Sequence, residues 1–488
     1  MYKKKRNHQF SFTDFNQPLG FKMNPDNRWV RKAELIPWDE IEEKYAELFP
    51  SKTGMPAKPL RMALGSLLIQ KQYDYSDREL VEQLTENPYY QYFIGLHGYQ
   101  QNAPFVPSLL VEFRKRLTED VLNEINEMII DFNKPDDPDG NAGGGDNSED
   151  SSDSNSGTLI LDATCAPQNI AYPQDINLLN EARENLECII DRLCYDYNTD
   201  RPRTYRINAR KDYLALAKRR RRSGNAIKKA IKKQLQYVRR DLRYIDEYIS
   251  QGMTLSTKDA ARLSVIKVVF EQQSYMYEHK VHSVPDRIVS ISQPYIRPIV
   301  RGKAKQPTEF GVKLDLSVDE FGMARLEKQS FDAYNECDVL QKAVEHYRER
   351  TGHYPERILA DTIYRNRNNL SYCKSHGIRL SGPALGRPKK NCIVDKKQEY
   401  IDAVDRIEVE RKFSLAKRCF GLGLIKTKLD TTTMSSVSLS IIAMNVDRLM
   451  TCSFFDFIRY ISESVFRVVF RIFIADTGVK TRLEIETI

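Results

Sequence analysis

Three acidic residues, Asp162, Asp361 and Glu410, have the type and setting that phosphoryl-transfer chemistry uses. Asp162 follows the apolar run Thr158-Leu-Ile-Leu161 and Asp361 follows Arg357-Ile-Leu-Ala360, so each is expected where a β-strand ends. Glu410 lies in Arg406-Ile-Glu-Val-Glu410-Arg-Lys-Phe413, which reads as a helix. Two carboxylates at strand ends and one on a helix can converge on a pair of divalent metal ions, and such a pair supports in-line attack on a phosphodiester. Each acid alone has a plainer reading. An Asp after a strand is often a turn or capping residue, and Glu410 could simply pair with Arg406 one helical turn away.

The helix separates Glu410 from its neighbour Glu408. With Arg406 as origin and about 100° per residue, Glu410 falls near ~40°, Phe413 near ~−20°, Lys417 near ~20° and Phe420 near ~−40°. Glu408 falls on the opposite face, near ~200°. One stripe therefore carries a carboxylate, two cations and two aromatics, a mixture that suits a metal ligand beside phosphates better than a plain core face.

The elements that must position these residues follow from periodicity. Ala33–Phe49, Pro59–Tyr73, Asp77–Thr85 and Val106–Phe132 carry apolar residues at three- and four-residue spacing, and Ser76-Asp-Arg-Glu79 resembles a capping box. Residues 134–157, KPDDPDGNAGGGDNSEDSSDSNSG, cannot bury enough apolar surface to offset their ordering entropy and are expected to be a disordered linker. From about 177 to 282 the pattern is helical and densely basic, with Lys218-Arg219-Arg220-Arg221-Arg222, Lys228-Lys229, Lys232-Lys233 and Arg239-Arg240 interleaved with Tyr205, Tyr213, Tyr237 and Tyr244. Two long helices meeting near Ser223-Gly224-Asn225 would make a basic hairpin suited to phosphates.

The period then shifts towards two. Arg287–Ser292, Phe310–Leu316 and Met323–Glu327 read as strands, Asp338–Thr351 as a helix, Arg357–Asp361 as a strand, and Asn368–His376 as a helix. Gly377–Ser381 reads as a short strand, Gly386–Lys397 as a basic connector, and Asp402–Phe420 and Ser436–Leu449 as helices. This order predicts an α/β (α+β) fold: a mixed sheet flanked by helices, RNase H-like, with a long helical insertion and a preceding all-α domain. The expected divisions are 1–133, 134–157, 158–450 and 451–488.

Composition bounds the rest. The chain has 488 residues, is 29% charged and 41% hydrophobic, and carries a net charge of +8, a mild excess that favours an anionic partner through its clustering. The eight cysteines form no Cys-x-x-Cys pair, which argues against a zinc module and fits a reducing cytoplasm. Phe454–Ile474 is the most apolar segment, but Asp456, Arg459, Glu463, Arg467 and Arg471 interrupt it, so an amphipathic rather than a membrane-spanning element is expected.

Arg406, Glu410 and Lys417, with three and six residues between them, resemble part of the signature of bacterial insertion-sequence transposases of the DDE class, most closely the group named for insertion sequences four and five. Leu161-Asp-Ala-Thr164 resembles that family's first acidic motif and Ala360-Asp-Thr-Ile-Tyr364 its second. Asp286–Ser290, Glu309–Lys313, Ala443–Leu449 and Tyr92–Leu96 are similar to further family segments. The resemblance implies a triad of Asp162, Asp361 and Glu410 holding two Mg²⁺ ions (or Mn²⁺), with Lys417 on the DNA backbone and Tyr364 and Arg406 in support. It implies cleavage and strand transfer on double-stranded DNA. The N-terminal module would bind terminal inverted repeats, with target DNA as second substrate, and the assembly would be a homodimer or larger synaptic complex. Arg219, Arg220, Arg221 and Lys232 are the further DNA contacts expected from the basic runs. The family's Tyr three residues before the Arg is Ala403 here, so either Tyr400 replaces it or that contact is absent. A nuclease without strand transfer and a non-catalytic DNA-binding protein are the competing readings.

Overall fold

The computed structural model describes residues 9–18, 20–49, 56–134, 155–300, 308–383, 385–386 and 395–451. The expected linker, the C-terminal tail and the basic connector after Gly386 therefore fall almost wholly outside the described residues. The chain divides into two compact units.

The first comprises residues 1–152, 318–325 and 438–488. Its helices are α1 (Arg28–Glu34), α2 (Trp38–Glu47), α3 (Leu60–Tyr73), α4 (Asp77–Glu86), α5 (Pro88–Phe93), α6 (Leu109–Arg116) and α7 (Glu119–Phe132). Two segments that read as single helices are each divided. Pro37 separates α1 from α2, because proline cannot continue a helix it does not begin, and Leu117-Thr118 separates α6 from α7. The capping box at α4 forms as expected, with Ser76 Oγ accepting from the Glu79 N–H at 3.2 Å. Arg61 is buried among aromatic rings and donates to the carbonyls of Phe93 (3.0 Å) and Tyr92 (2.9 Å), with the charge of Asp39 also favouring its cation. In the same unit, Asn445 joins Asn126 (2.8 Å) and both backbone groups of Ala324 (2.7 and 2.9 Å) in a buried amide network.

The second unit comprises residues 153–317 and 326–437 and holds the sheet. Strand β1 (Thr158–Pro167) is followed by helices α8 (Asp175–Asp196), α9 (Arg206–Ala217), α10 (Gly224–Ser250) and α11 (Thr257–His279). Then come β2 (Arg297–Val300), β3 (Thr308–Val318), β4 (Ala324–Ser330), α12 (Leu340–Thr351), β5 (Arg357–Ala360), α13 (Arg367–Ser375), β6 (Arg379–Leu380) and α14 (Lys396–Cys419). A further helix covers 430–451.

The sheet order is β2-β3-β1-β5-β6, with β4 also paired to β3. β5 runs parallel to β1 and to β6, whereas β2 is antiparallel to β3. This is the mixed, helix-flanked sheet expected, RNase H-like in order. One strand differs: Arg287–Ser292 is extended but unpaired, and the strand lies later, at β2. Ile288 and Ile291 pack into the helical core instead, and the Ile288 N–H is taken by the Gln272 side chain at 2.9 Å. The alternating apolar residues serve a helix surface there, not a ladder.

The insertion between β1 and β2 has its own core. Leu186, Ile189 and Ile190 of α8 meet Val238, Leu242 and Ile245 of α10 and Ile266 and Val269 of α11. It is a group of four helices, not the expected pair, and α9 is the short one. β3 approaches β1 closely at Gly311, where an added Cβ would lie 2.0 Å from the Ala166 carbonyl oxygen. Only glycine fits that contact.

Candidate active site

β1 and β5 pair in parallel, and their last matched residues are Leu161 and Ala360. Asp162 and Asp361 are the next residue on each strand, so the two carboxylates leave neighbouring backbones about 4.8 Å apart. Asp361 stands just past its strand, as expected. Asp162 does not: β1 continues for five more residues because Ala163–Pro167 pair onwards beside β3. Side chains alternate along a strand. Leu159 and Leu161 enter the core with Leu340, Val344 and Tyr347 of α12, which puts Asp162 and Thr164 on the opposite face.

That face is where α14 lies, pinned near both ends. At its start, Arg357 of β5 donates to Thr158 Oγ1 (2.8 Å), Asp402 (3.3 Å) and Asp405 (2.8 Å), and Arg379 of β6 also binds Asp402 (2.5 and 2.8 Å). Arg379, chiefly, holds the Asp402 carboxyl below the ordinary range. Near the other end, Lys417 Nζ donates to Thr164 Oγ1 at 2.9 Å. A helix rises about 1.5 Å and a strand about 3.3 Å per residue, so between these pins Glu410 comes roughly abreast of Asp162.

Arg406 links the two. It pairs with Glu410 Oε1 at 3.3 Å, and its charge also bears on Asp162. Burial pushes the Asp162 carboxyl up to about 6, with Asp361 and Glu336 adding negative charge, despite the Ala163 N–H donated at 2.8 Å and the nearby Arg406. Asp162 thus sits partly buried beside further acids, with Arg406 as its nearest counter-charge. Hard carboxylate oxygens in that condition suit a cation such as Mg²⁺.

The three are not drawn together as a finished metal cage. Among the described residues no group of three His, Cys, Asp or Glu side chains is placed to hold a metal ion. Asp361 Oδ1 caps the short 3₁₀ turn Thr362–Tyr364 through the Thr362 N–H (2.6 Å). Glu410 is about half exposed and occupied with Arg406, the ion pair named above as its plainer reading. Glu408 pairs with Arg411 (3.2 Å) and Lys412 (3.6 Å), so it is kept apart from Arg406, as the helical wheel predicts. Ala403 and Tyr400 are both exposed.

Tyr364 leads to residues that sequence reasoning missed. Its hydroxyl donates to Asp315 Oδ1 at 2.6 Å, and the Tyr334 hydroxyl donates to the other oxygen of the same carboxylate. Lys313 pairs with Glu336 at 2.8 Å beside them. β3 alternates apolar Phe310, Val312, Leu314 and Leu316 with polar Lys313, Asp315 and Ser317, a pattern that ordinarily means a solvated face. Here Asp315 and Ser317 are fully buried. The available signal was the nearby density of tyrosines able to satisfy a buried acid.

The basic residues of the insertion lie elsewhere in this unit. Arg219, Arg220 and Arg221 are exposed in the turn between α9 and α10, and Lys232 is exposed on α10. Arg222 is turned back onto Gln174 (2.9 Å) and the Ala217 carbonyl (2.9 Å). The interleaved tyrosines are engaged internally: Tyr205 lies beneath both Arg203 and Arg240 at 4.7 Å, Tyr237 donates to Asp212 (3.0 Å) and Tyr213 to Asn177 (3.2 Å).

Residues 19–116 match a family model described as a transposase domain (DUF772), and residues 358–447 match one described as a transposase DDE domain. Both matched segments are consistent with a DDE-type insertion-sequence transposase. The second match spans Asp361, Tyr364, Arg406, Glu410 and Lys417 of this chain; Asp162 precedes it. A stretch of 117 residues, 24% of the chain, is 32% identical to an uncharacterized protein, ORF8 in the nfe locus, of Rhizobium meliloti. That stretch covers 56% of the relative, so the chain spans about half the length of the curated protein it matches. No solved structure matches it. No helix among its described residues is long and apolar enough to cross a membrane.

Proposed function

We propose that this chain is a DDE-type transposase that binds the terminal inverted repeats of an insertion sequence and performs divalent-metal-dependent strand cleavage and strand transfer in the cytoplasm. The observation that carries the reading is the placement of Asp162 and Asp361 side by side on parallel strands beneath α14. Asp162 and Asp361 would hold Mg²⁺, or Mn²⁺ in its place, and Glu410 would complete the set by exchanging Arg406 for the metal. Bound there, a metal pair supplies an activated oxygen nucleophile and stabilises the leaving oxygen.

The chain's own residues do the rest. Arg406, released from Glu410, becomes available to a phosphate. Lys417 stands near Asp162 on Thr164 and meets the same backbone. The exposed Arg219, Arg220, Arg221 and Lys232 hold more distant phosphates, which makes binding salt-sensitive. Recognition of the repeats falls to the N-terminal helices, and two copies are needed to bring two ends together.

Asp162→Ala is expected to abolish cleavage of a repeat-bearing duplex in Mg²⁺ while leaving its binding in a gel-shift assay intact. Unchanged cleavage would sink the assignment. Joining of pre-cleaved ends to a target plasmid separates a transposase from a nuclease of the same fold, which would give no joined product.

A further inference from the structure

Asp361 depends on a turn only three residues long, Thr362–Tyr364, and that turn is tied down at several points. The Asp361 side chain accepts the Thr362 N–H (2.6 Å), and the Tyr364 N–H returns to the Asp361 carbonyl (3.0 Å). The Tyr364 carbonyl accepts from Asn369 Nδ2 at 2.9 Å, and the same amide group also reaches the Cys337 carbonyl at 2.8 Å. The Tyr364 hydroxyl then reaches Asp315 on β3.

The strand order gives this last bond its meaning. β3 and β5 flank β1 on opposite sides. A bond from the turn after β5 to the middle of β3 therefore crosses the strand that carries Asp162. It spans two strand spacings, about 9–10 Å, and fixes the two neighbours of β1 relative to each other. Tyr364 and Asp315 are both fully buried, and both oxygens of Asp315 are occupied by tyrosine hydroxyls, so this carboxylate is not on offer to a metal.

We infer that Asp315 and Tyr364 form a positioning strut that sets Asp361 against Asp162 for cation binding. They are positioning residues and touch no substrate. The inference rests on the proposed role of the two aspartates, and its test separates the two. The full-length chain is titrated with MnCl₂ alone by calorimetry, and the Mn²⁺ concentration giving half-maximal cleavage is measured in parallel. Thermal melting accompanies both.

Tyr364→Phe removes the bond and keeps the ring. It is expected to raise both the Mn²⁺ dissociation constant and the half-saturating Mn²⁺ about tenfold, with most of the saturating rate retained. Asp315→Asn keeps an acceptor for the hydroxyl and should fall between Tyr364→Phe and the parent. A purely structural role would lower the melting temperature and leave Mn²⁺ affinity of the folded protein unchanged, which overturns the strut. Asp361→Asn is the separating control. If it loses Mn²⁺ binding while Tyr364→Phe binds like the parent, the strut alone fails; if Asp361→Asn binds Mn²⁺ and cleaves like the parent, the assignment of the acids fails as well.

Discussion

Two regions of the second unit carry strong charge by opposite means. Around Asp162 acidic groups gather, Asp162 itself is partly buried beside Arg406, and paired strands on both sides hold it in place. In the turn before α10 the charge is positive and exposed, on long side chains that water already stabilises. The first arrangement stores a demand for a cation at a fixed point. The second offers attraction over a wide area with no fixed geometry. The proposed reaction, cutting one phosphodiester in a long polyanion, needs both, and the contrast says which substitutions should change rate and which should change only binding.

The sharpest break in that comparison is within α14. Glu410→Gln should lower the cleavage rate at least about 10²-fold, since it removes charge at the reacting centre, whereas Glu408→Gln, on the far face with Arg411 and Lys412, should stay within about twofold. Equal losses in a single-turnover cleavage assay would dissolve the distinction between the faces. Next comes the rigidity of the acidic side. Gly311→Ala drives a methyl into the Ala166 carbonyl and should cost about 3 kcal/mol or more. A variant that melts like the parent would show that β3 can yield.

On the basic side, replacing Arg219, Arg220 and Arg221 together by Ala should weaken duplex binding and reduce the slope of log affinity against log salt by up to about three. Cleavage of saturated substrate should hardly move. A shallower rate with unchanged salt slope would reverse the roles of the two regions.

The smallest effect concerns pH. A carboxyl held above its ordinary value binds its proton more tightly in the folded chain than in the unfolded one. From about pH 4 to about pH 6 the Asp162 proton is therefore lost at the expense of stability, and stability stays lowered above that window. Asp162→Asn removes the penalty. Its melting temperature should exceed the parent's by about 2–4 °C near neutral pH and match it near pH 4; a difference independent of pH would overturn this account.

Much of the fold was legible because its signals are local. The strand before Asp361, the β3–β4 hairpin, the cap at α4 and the two faces of α14 follow from spacing and end residues. What was not legible depends on distant partners. β1 runs past Asp162 only because β3 lies alongside it. Ile288 and Ile291 alternate like strand residues but answer to α8–α11. Asp315 looks solvent-facing until Tyr334 and Tyr364 come to it from later in the chain. In the candidate site, the elements bearing Asp361 and Glu410 and the pairing of Glu410 with Arg406 one helical turn away could be read from the chain, but the continuation of β1 past Asp162 could not.

The insertion of α8–α11 between β1 and its neighbours has a consequence for synthesis. Arg357 meets Thr158 across 199 residues of chain. At about 5–20 residues per second on the ribosome, β1 would wait roughly 10–40 s before β5 emerges. The insertion's helices α8, α10 and α11 pack chiefly on one another and can form during that wait. Asp361 and Glu410 arrive last of all. On the proposed reading, a nascent chain can thus hold DNA through its arginines before Asp361 and Glu410 have been made to complete the cutting centre.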